Sequence, residues 1–164
     1  MLWLRIGLFV SVFVTAFLVW VPRWILAATG EARSVSGPPR GAAIVLFGCG
    51  IALMLWCWEE FGTRGRGTPA PFDPPQRLIV RGPYRYVRNP MYLAALLVLV
   101  GQSVLFSSLP LLAYAAAFGM VVHLLVVLYE ERTLVSRFGA SYDAYRAAVG
   151  RWVPRRTRLR HTTQ

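Results

Sequence analysis

Residues 89–129 read NPMYLAALLVLVGQSVLFSSLPLLAYAAAFGMVVHLLVVLY and contain no Asp, Glu, Lys or Arg. An α-helix rises about 1.5 Å per residue, and about 20 apolar residues are needed to cross a hydrocarbon layer of about 30 Å. The stretch is therefore long enough for two membrane crossings. The sequence SSLP at 107–110 provides the turn between them, because a proline disfavours helix at the residue before it and suits the first turn of a new helix. We expect one helix to end near Phe106 and another to begin at Pro110.

Two further uncharged stretches lie closer to the amino terminus, from Ile6 to Pro22 and from Gly41 to Trp58. Each has about the length of one crossing. The sequence therefore predicts an all-α, polytopic membrane protein that forms a single integral membrane domain over residues 1–164. The predicted parts are four transmembrane helices at about 5–28, 41–60, 89–107 and 110–130, a cytoplasmic loop between the second and third, and a cytoplasmic C-terminal helix and tail at 131–164.

The composition supports a membrane protein and excludes disorder. Hydrophobic residues make up 56% of the chain and charged residues 15%, with a mean hydropathy of +0.49, more apolar surface than a core of this size can bury. The net charge of +11 comes from 18 basic residues, all Arg, against seven acids. These arginines border uncharged stretches instead of clustering on a polar domain, so we expect membrane lipids as partners and no nucleic acid. Cys49 and Cys57 share one apolar stretch, which supports neither a disulfide framework nor a metal site.

The distribution of arginine predicts the orientation. One arginine precedes the first span, three lie between the first and second spans, six between the second and third, and eight follow the fourth. Arginine is enriched in cytoplasmic segments, so both termini and the loop before the third span are expected on the cytoplasmic side. We expect an integral protein of a bacterial inner membrane, whose cytoplasmic face consists of residues 61–88 and 130–164.

Three arginines and three tyrosines crowd the segment from Leu78 to Tyr92, at the entrance of the third span. An interfacial belt of Arg and Tyr is one interpretation of this pattern. Asn89-Pro90 adds a capping side chain directly before a proline at the first helical position. A helix amino terminus with free N–H groups beside Arg88 is also suited to bind an anion.

Two adjacent carboxylates, Glu130 and Glu131, stand at the end of the fourth span. Their charge opposes both the helix dipole and an anionic inner leaflet, so their position is unusual. One interpretation is a solvated pair balanced by Arg132. The other is that the hairpin of spans three and four brings a positive helix start and an acidic helix end face to face, which would suit a zwitterionic or dipolar ligand.

The segment after Glu131 has helical periodicity. Apolar and aromatic residues recur every three or four positions, at Leu134, Phe138, Tyr142, Tyr145 and Val149. This spacing predicts an amphipathic helix that lies on the membrane and closes the site. Residues 150–154 are expected to end the ordered part. His123, seven residues before Glu130, points to the same end of the bundle and either forms a structural hydrogen bond or lines the site.

The polar segments resemble the isoprenylcysteine carboxyl methyltransferase and phospholipid methyltransferase superfamily of integral membrane enzymes. The resemblance is carried by GPYRYVRNPMY at 82–92, by the Glu130-Glu131 pair, by FGASYDAY at 138–145, and by Arg151 and Pro154. It covers roughly the carboxyl-terminal half of the chain. The family pattern usually has His where this chain has Asn89.

The resemblance implies that S-adenosylmethionine binds at the cytoplasmic helix ends and donates a methyl group to a lipophilic acceptor, a lipid or small molecule from the bilayer. The residues it assigns to the cofactor are Tyr84, Tyr86, Val87, Arg88, Asn89, Pro90, Tyr92, Glu130 and Glu131. Among them, Arg88 to Pro90 would hold the cofactor carboxylate, the glutamates its amino group or ribose, and the tyrosines its adenine or sulfonium. Arg151 would orient a carboxylate acceptor, whereas Glu131 would deprotonate an amine or thiol.

Two other functions compete with this hypothesis. An NADPH-dependent membrane reductase of the sterol type is one alternative, based only on a resemblance in fold. The short chain and the small number of spans argue against it. A non-catalytic four-helix membrane protein, such as a small exporter subunit, predicts polar residues along the spans, whereas the polar residues here concentrate at one face. The acceptor alternatives are a prenylated carboxylate, an amine head group, a thiol and a small hydrophobic metabolite.

Overall fold

The computed structural model describes residues 7, 11–31, 36–65 and 78–155. Over these ranges the regular structure is helical, apart from one isolated parallel bridge between Val87 and Gly150. The main helices are α1 (Ser11–Thr29), α2 (Pro38–Glu60), α3 (Pro90–Leu105), α4 (Leu109–Phe138) and α5 (Ala140–Ala148). The all-α prediction is confirmed for the described part of the chain, while most of the predicted cytoplasmic loop lies outside it.

Among the described residues, three helical stretches are long and apolar enough to cross a membrane. They are α1, Pro39–Thr63, which consists of α2 and the π-helical turn after it, and α4. The remaining candidate, α3, has 16 residues and is therefore only about 24 Å long. It is shorter than the predicted span because Asn89 has a non-helical backbone and Ser107 has a φ of 46°. Within the described ranges there are thus three full-length candidate spans and one shorter apolar helix.

The predicted turn between α3 and α4 is confirmed. The first helix ends at Leu105 and the second begins at Leu109. The Ser108 hydroxyl caps α4 by accepting a hydrogen bond from the backbone N–H of Leu111 at 3.2 Å, and Pro110 occupies the first turn, where no intrahelical donor is needed.

The carboxyl-terminal helices differ from the prediction. No break separates a fourth span from a cytoplasmic helix at residue 131, because α4 continues to Phe138 through a π-helical turn at Val126–Glu130. The predicted single amphipathic helix is divided at Gly139, whose φ of 49° favours glycine. The buried residues of α5, Tyr142 and Tyr145, pack with Val149 against apolar side chains of the chain itself, among them Leu78, Leu134, Val135 and Phe138.

Glycines allow close packing between α2 and α3. A Cβ at Gly50 would lie 2.8 Å from Cγ2 of Val98, and one at Gly101 would lie 2.9 Å from the backbone nitrogen of Phe47. Small residues of this kind let membrane helices approach each other closely. The first turn of α3 and the residues just before it contribute to the candidate site. The contact between α2 and α3 therefore fixes the position of these residues relative to α2.

A leucine at Gly101 is expected to lower the midpoint of thermal unfolding by about 5 °C or more, since overpacking a tight contact costs about 1–3 kcal/mol. The measurement is thermal unfolding of the detergent-purified protein. Gly48→Leu is the matched control, because Gly48 lies on α2 with open space around it. Equal midpoints for the two variants would contradict the packing described here.

Candidate active site

The start of α3 and the far part of α4 meet at one end of the bundle. Nη1 of Arg88, two residues before α3, lies 3.0 Å from Oε1 of Glu131. One turn further along, the Tyr92 hydroxyl donates a hydrogen bond to Oε2 of Glu130 at 3.2 Å. The positive helix start and the acidic segment therefore lie face to face, as the second of the two interpretations of the sequence predicts.

The two glutamates take different partners because they stand next to each other on a helix, where successive side chains point in different directions. Glu130 closes the π-helical turn and faces α3, while Glu131 opens the following α-helical segment and faces Arg88. The side chains of Arg88 and Glu131 are 9% and 14% exposed. The interpretation of Glu130 and Glu131 as a solvated pair balanced by Arg132 therefore does not hold, because Glu130 binds Tyr92 and Glu131 binds Arg88.

The segment Val149–Arg155, here called the C-terminal strap, brings a second arginine to the same carboxylate. Arg151 donates from Nε to Oε1 of Glu131 at 2.7 Å and from Nη2 to Oε2 at 2.9 Å. This bidentate geometry is among the strongest that a guanidinium can make, and the hydrogen bonds to Glu131 raise the pKa of Arg151. Glu131 is thus shared by two arginines from different parts of the chain.

Three further hydrogen bonds between described residues connect the C-terminal strap to α4 and to the residues just before α3. The backbone N–H of Arg88 donates to the carbonyl of Gly150 at 2.9 Å, and Nδ2 of Asn89 donates to the carbonyl of Arg151 at 3.2 Å. Nε1 of Trp152 donates to Nδ1 of His123 at 3.0 Å. Asn89 makes no side-chain capping bond to α3, because its amide is directed to the strap instead. His123 forms the structural hydrogen bond that the sequence gives as one of its two interpretations.

Two tyrosines of α5 connect this helix to the segment before α3. The Tyr142 hydroxyl accepts a hydrogen bond from Nη1 of Arg88 at 3.1 Å, and the Tyr145 hydroxyl donates to the carbonyl of Tyr84 at 2.6 Å. Burial raises the pKa of Tyr145, so its hydroxyl keeps the proton that it donates. The Tyr142 contact therefore holds the same Nη1 of Arg88 that lies beside Glu131.

The structure brings together most of the residues singled out from the sequence: Arg88, Asn89, Tyr92, Glu130, Glu131 and Arg151. Val87 is buried and pairs through its backbone with Gly150, and Pro90 is buried at the start of α3. The side chains of Tyr84 and Tyr86 have other surroundings. Tyr84 is buried beside Cys57, Phe61 and Ile79, whereas Tyr86 is 51% exposed with the Arg85 guanidinium stacked 5.3 Å from its ring centre.

Sequence reasoning missed three members of the site. Tyr142 was assigned only to an apolar face, although its hydroxyl contacts Arg88. Gly150 and Trp152 were placed at the end of the ordered part. A signal for Trp152 exists, since a buried indole N–H requires an acceptor. Gly150 gives no comparable signal. A glycine is required there because an added Cβ would collide with the carbonyl of Val153, and that contact depends on the folded chain.

The cluster retains capacity to bind a small charged molecule. Two guanidiniums share the Glu131 carboxylate, and Nε of Arg88 is buried with no hydrogen-bond partner among the described residues. Glu130 accepts one bond, from Tyr92, whereas a carboxylate can accept about four. A cationic donor and an anionic acceptor therefore stand side by side, each with unused hydrogen-bonding capacity.

A model of the phospholipid methyltransferase family matches residues 40–141. The match runs from the first turn of α2 to the start of α5, which is more than half of the chain, and it includes both helix ends of the site. The C-terminal strap lies beyond the matched residues. No curated protein and no solved structure matches the chain.

Proposed function

Because the chain belongs to the phospholipid methyltransferase family, we propose that it transfers a methyl group from S-adenosylmethionine to a lipophilic acceptor, as isoprenylcysteine carboxyl methyltransferases do. The single observation that carries the proposal is the meeting of the α3 start with the acidic part of α4, with Arg88 3.0 Å from Glu131. The family match favours this function over a reductase and over a non-catalytic membrane protein.

The residues present fit the zwitterionic end of the cofactor. Its carboxylate would be held by Arg88, whose buried Nε is without a partner among the described residues, together with the first N–H groups of α3. Its amino group or ribose hydroxyls would be held by Glu130, on the lone pairs that Tyr92 leaves unused. The ring of Tyr92 is the aromatic face nearest to these groups and would attract a sulfonium.

When bound, S-adenosylmethionine supplies a methyl group on a positively charged sulfur. The protein's part in such a displacement is to align donor and acceptor and to exclude water, and alignment alone can contribute several kcal/mol. Tyr92 and Trp152 pack against the same apolar core at this end of the bundle. These two side chains would help to exclude water from the polar cluster on the side that faces the apolar core.

The acceptor side of the reaction depends on Arg151 and the glutamates. Arg151 would orient a carboxylate acceptor, which is already ionised and needs no base. An amine or thiol acceptor would have to lose a proton. Glu131 is a weak base for this step because both of its oxygens bind guanidinium groups. We therefore propose that the acceptor's proton is taken by the oxygen of Glu130 that Tyr92 does not contact. Glu131 then acts as a positioning residue.

For the membrane topology, we propose four crossings with α3 as a short span. A helix of about 24 Å can span when its flanking residues reach the interface or the bilayer thins locally. Arginine is concentrated in the segments around the site, which favours a site on the cytoplasmic side with both termini there.

The test is retention of labelled S-adenosylmethionine by the detergent-purified protein, followed by a methyl-transfer screen over a prenylcysteine carboxylate, an ethanolamine head group and a lipophilic thiol. We expect retention and one positive acceptor class. Glu130→Ala should weaken retention at least about tenfold, because a charge-assisted contact contributes about 1.5–3 kcal/mol. Glu59→Ala, at an exposed glutamate on α2, is the matched control. Unchanged retention in both Glu130→Ala and Arg88→Ala would refute the cofactor assignment.

A further inference from the structure

An apolar groove lies in the half of the bundle that is remote from the polar cluster. Its volume is about 350 Å³, within the range of about 300–1,000 Å³ that is typical of small-molecule sites. The groove is formed by α1, α2 and α3, and its lining includes Leu105 and Phe106, where α3 ends. The polar cluster stands at the other end of α3, so the groove belongs to a different site.

The groove is open to the side of the bundle. Val19, Ile44 and Phe47 line it and are 42%, 56% and 41% exposed. These side chains belong to helices long and apolar enough to span a membrane. In a bilayer they would face hydrocarbon, so an acyl chain can enter the groove laterally.

One cation stands among these apolar residues. Arg23 is the charged member of the lining, and no carboxylate of the described residues lies within ion-pair distance of it. Gln102, a polar but uncharged residue of the lining, donates from Nε2 to the carbonyl of Leu18 at 2.8 Å. The guanidinium of Arg23 is therefore available to an anion from outside the protein.

The depth of Arg23 in the membrane fits a lipid head group. It lies six residues from the end of α1, about 9 Å along the helix axis. Trp20 and Trp24 flank it and are 72% and 71% exposed, and outward-facing tryptophans concentrate at the head-group level of a bilayer. An arginine at this level reaches the interface with its charged end while its stem stays in hydrocarbon.

We propose that this groove is a binding site for one anionic phospholipid, with an acyl chain between α1, α2 and α3 and the head group on Arg23. The charge of Arg23 and the apolar lining together select this class of ligand over a neutral lipid. The lipid comes from the leaflet opposite to the polar cluster and stabilises the packing of α1 on α3. The proposal does not depend on the methyltransferase assignment.

The test is thermal unfolding of delipidated protein in a neutral detergent, with added phosphatidylglycerol or phosphatidylcholine. Phosphatidylglycerol should raise the midpoint by about 3 °C or more, and phosphatidylcholine by less than half as much. Arg23→Gln should weaken the response to phosphatidylglycerol about tenfold in lipid concentration, while Arg40→Gln, at an exposed arginine outside the groove, should respond like the parent protein. Ile44→Trp, which fills the groove, should reduce the response without any change in charge.

Three results would overturn the proposal. They are an equal shift with both lipids, an unchanged response in Arg23→Gln, and an unchanged response in Ile44→Trp. The first would indicate general solvation of the helices by lipid or detergent. An unchanged response in Arg23→Gln would show that the head group does not bind Arg23. An unchanged response in Ile44→Trp would show that no acyl chain occupies the groove.

Discussion

Replacing Glu131 with glutamine is expected to lower the rate of methyl transfer at least about a hundredfold. The Glu131 carboxylate is bound by Arg88 at 3.0 Å and by both ends of the Arg151 fork. A neutral amide leaves two guanidiniums close together without their shared anion. Removing one partner of a buried ion pair costs about 3–5 kcal/mol, and a hundredfold loss of rate corresponds to about 2.7 kcal/mol. We expect the smaller value because Arg151 is one-third exposed.

The rate is measured with the acceptor class found in the screen. Asp143→Asn makes the same chemical change at an exposed ion pair with Arg146, where such pairs contribute about 0–1 kcal/mol, so its rate should stay close to that of the parent. A Glu131→Gln variant that keeps more than half of the parent rate would show that the shared carboxylate does not organise the site.

Replacing Gly150 with alanine is expected to reduce methyl transfer at least about tenfold and to lower the midpoint of thermal unfolding by about 3 °C or more. A Cβ at this position would collide with the carbonyl of Val153. Gly150 also accepts the backbone hydrogen bond of Arg88 at 2.9 Å, so any shift of the strap moves both Arg88 and Arg151. Local strain of this kind costs about 1–3 kcal/mol.

Gly48→Ala is the matched control for this change, because a Cβ at Gly48 meets open space. The control should show parental activity and stability. If Gly150→Ala behaves like Gly48→Ala, the C-terminal strap does not position the two arginines, and the contacts between the strap and the start of α3 have no part in activity.

The helical hairpin could be predicted from residues 89–129 because its signals are local. An uncharged stretch requires two crossings, and Pro110 with the serines before it marks the turn. The length of α4 could not be predicted in the same way. Nothing in the sequence from Val126 to Glu130 indicates a π-helical turn, and the charged pair Glu130-Glu131 suggests the end of a span instead of its continuation.

The meeting of Arg88 with the glutamates could be predicted because the two ends of a hairpin must lie side by side and their charges are opposite. Which glutamate pairs with which partner depends on the rotation of α4 about its axis, and that rotation is set by packing. The role of Asn89 illustrates the same limit. Locally it is a good capping residue, but its amide donates to the carbonyl of Arg151, 62 residues away in sequence.

Photochemical cross-linking of labelled S-adenosylmethionine to the purified protein, followed by mapping of the labelled peptides, tests whether the cofactor binds between the start of α3 and the glutamate pair. We expect label in peptides that contain residues 88–92 and 130–131, and loss of that label when excess unlabelled cofactor competes. Competable label confined to α1 or to the first half of α2, with none at the α3 start or the glutamate pair, would contradict it.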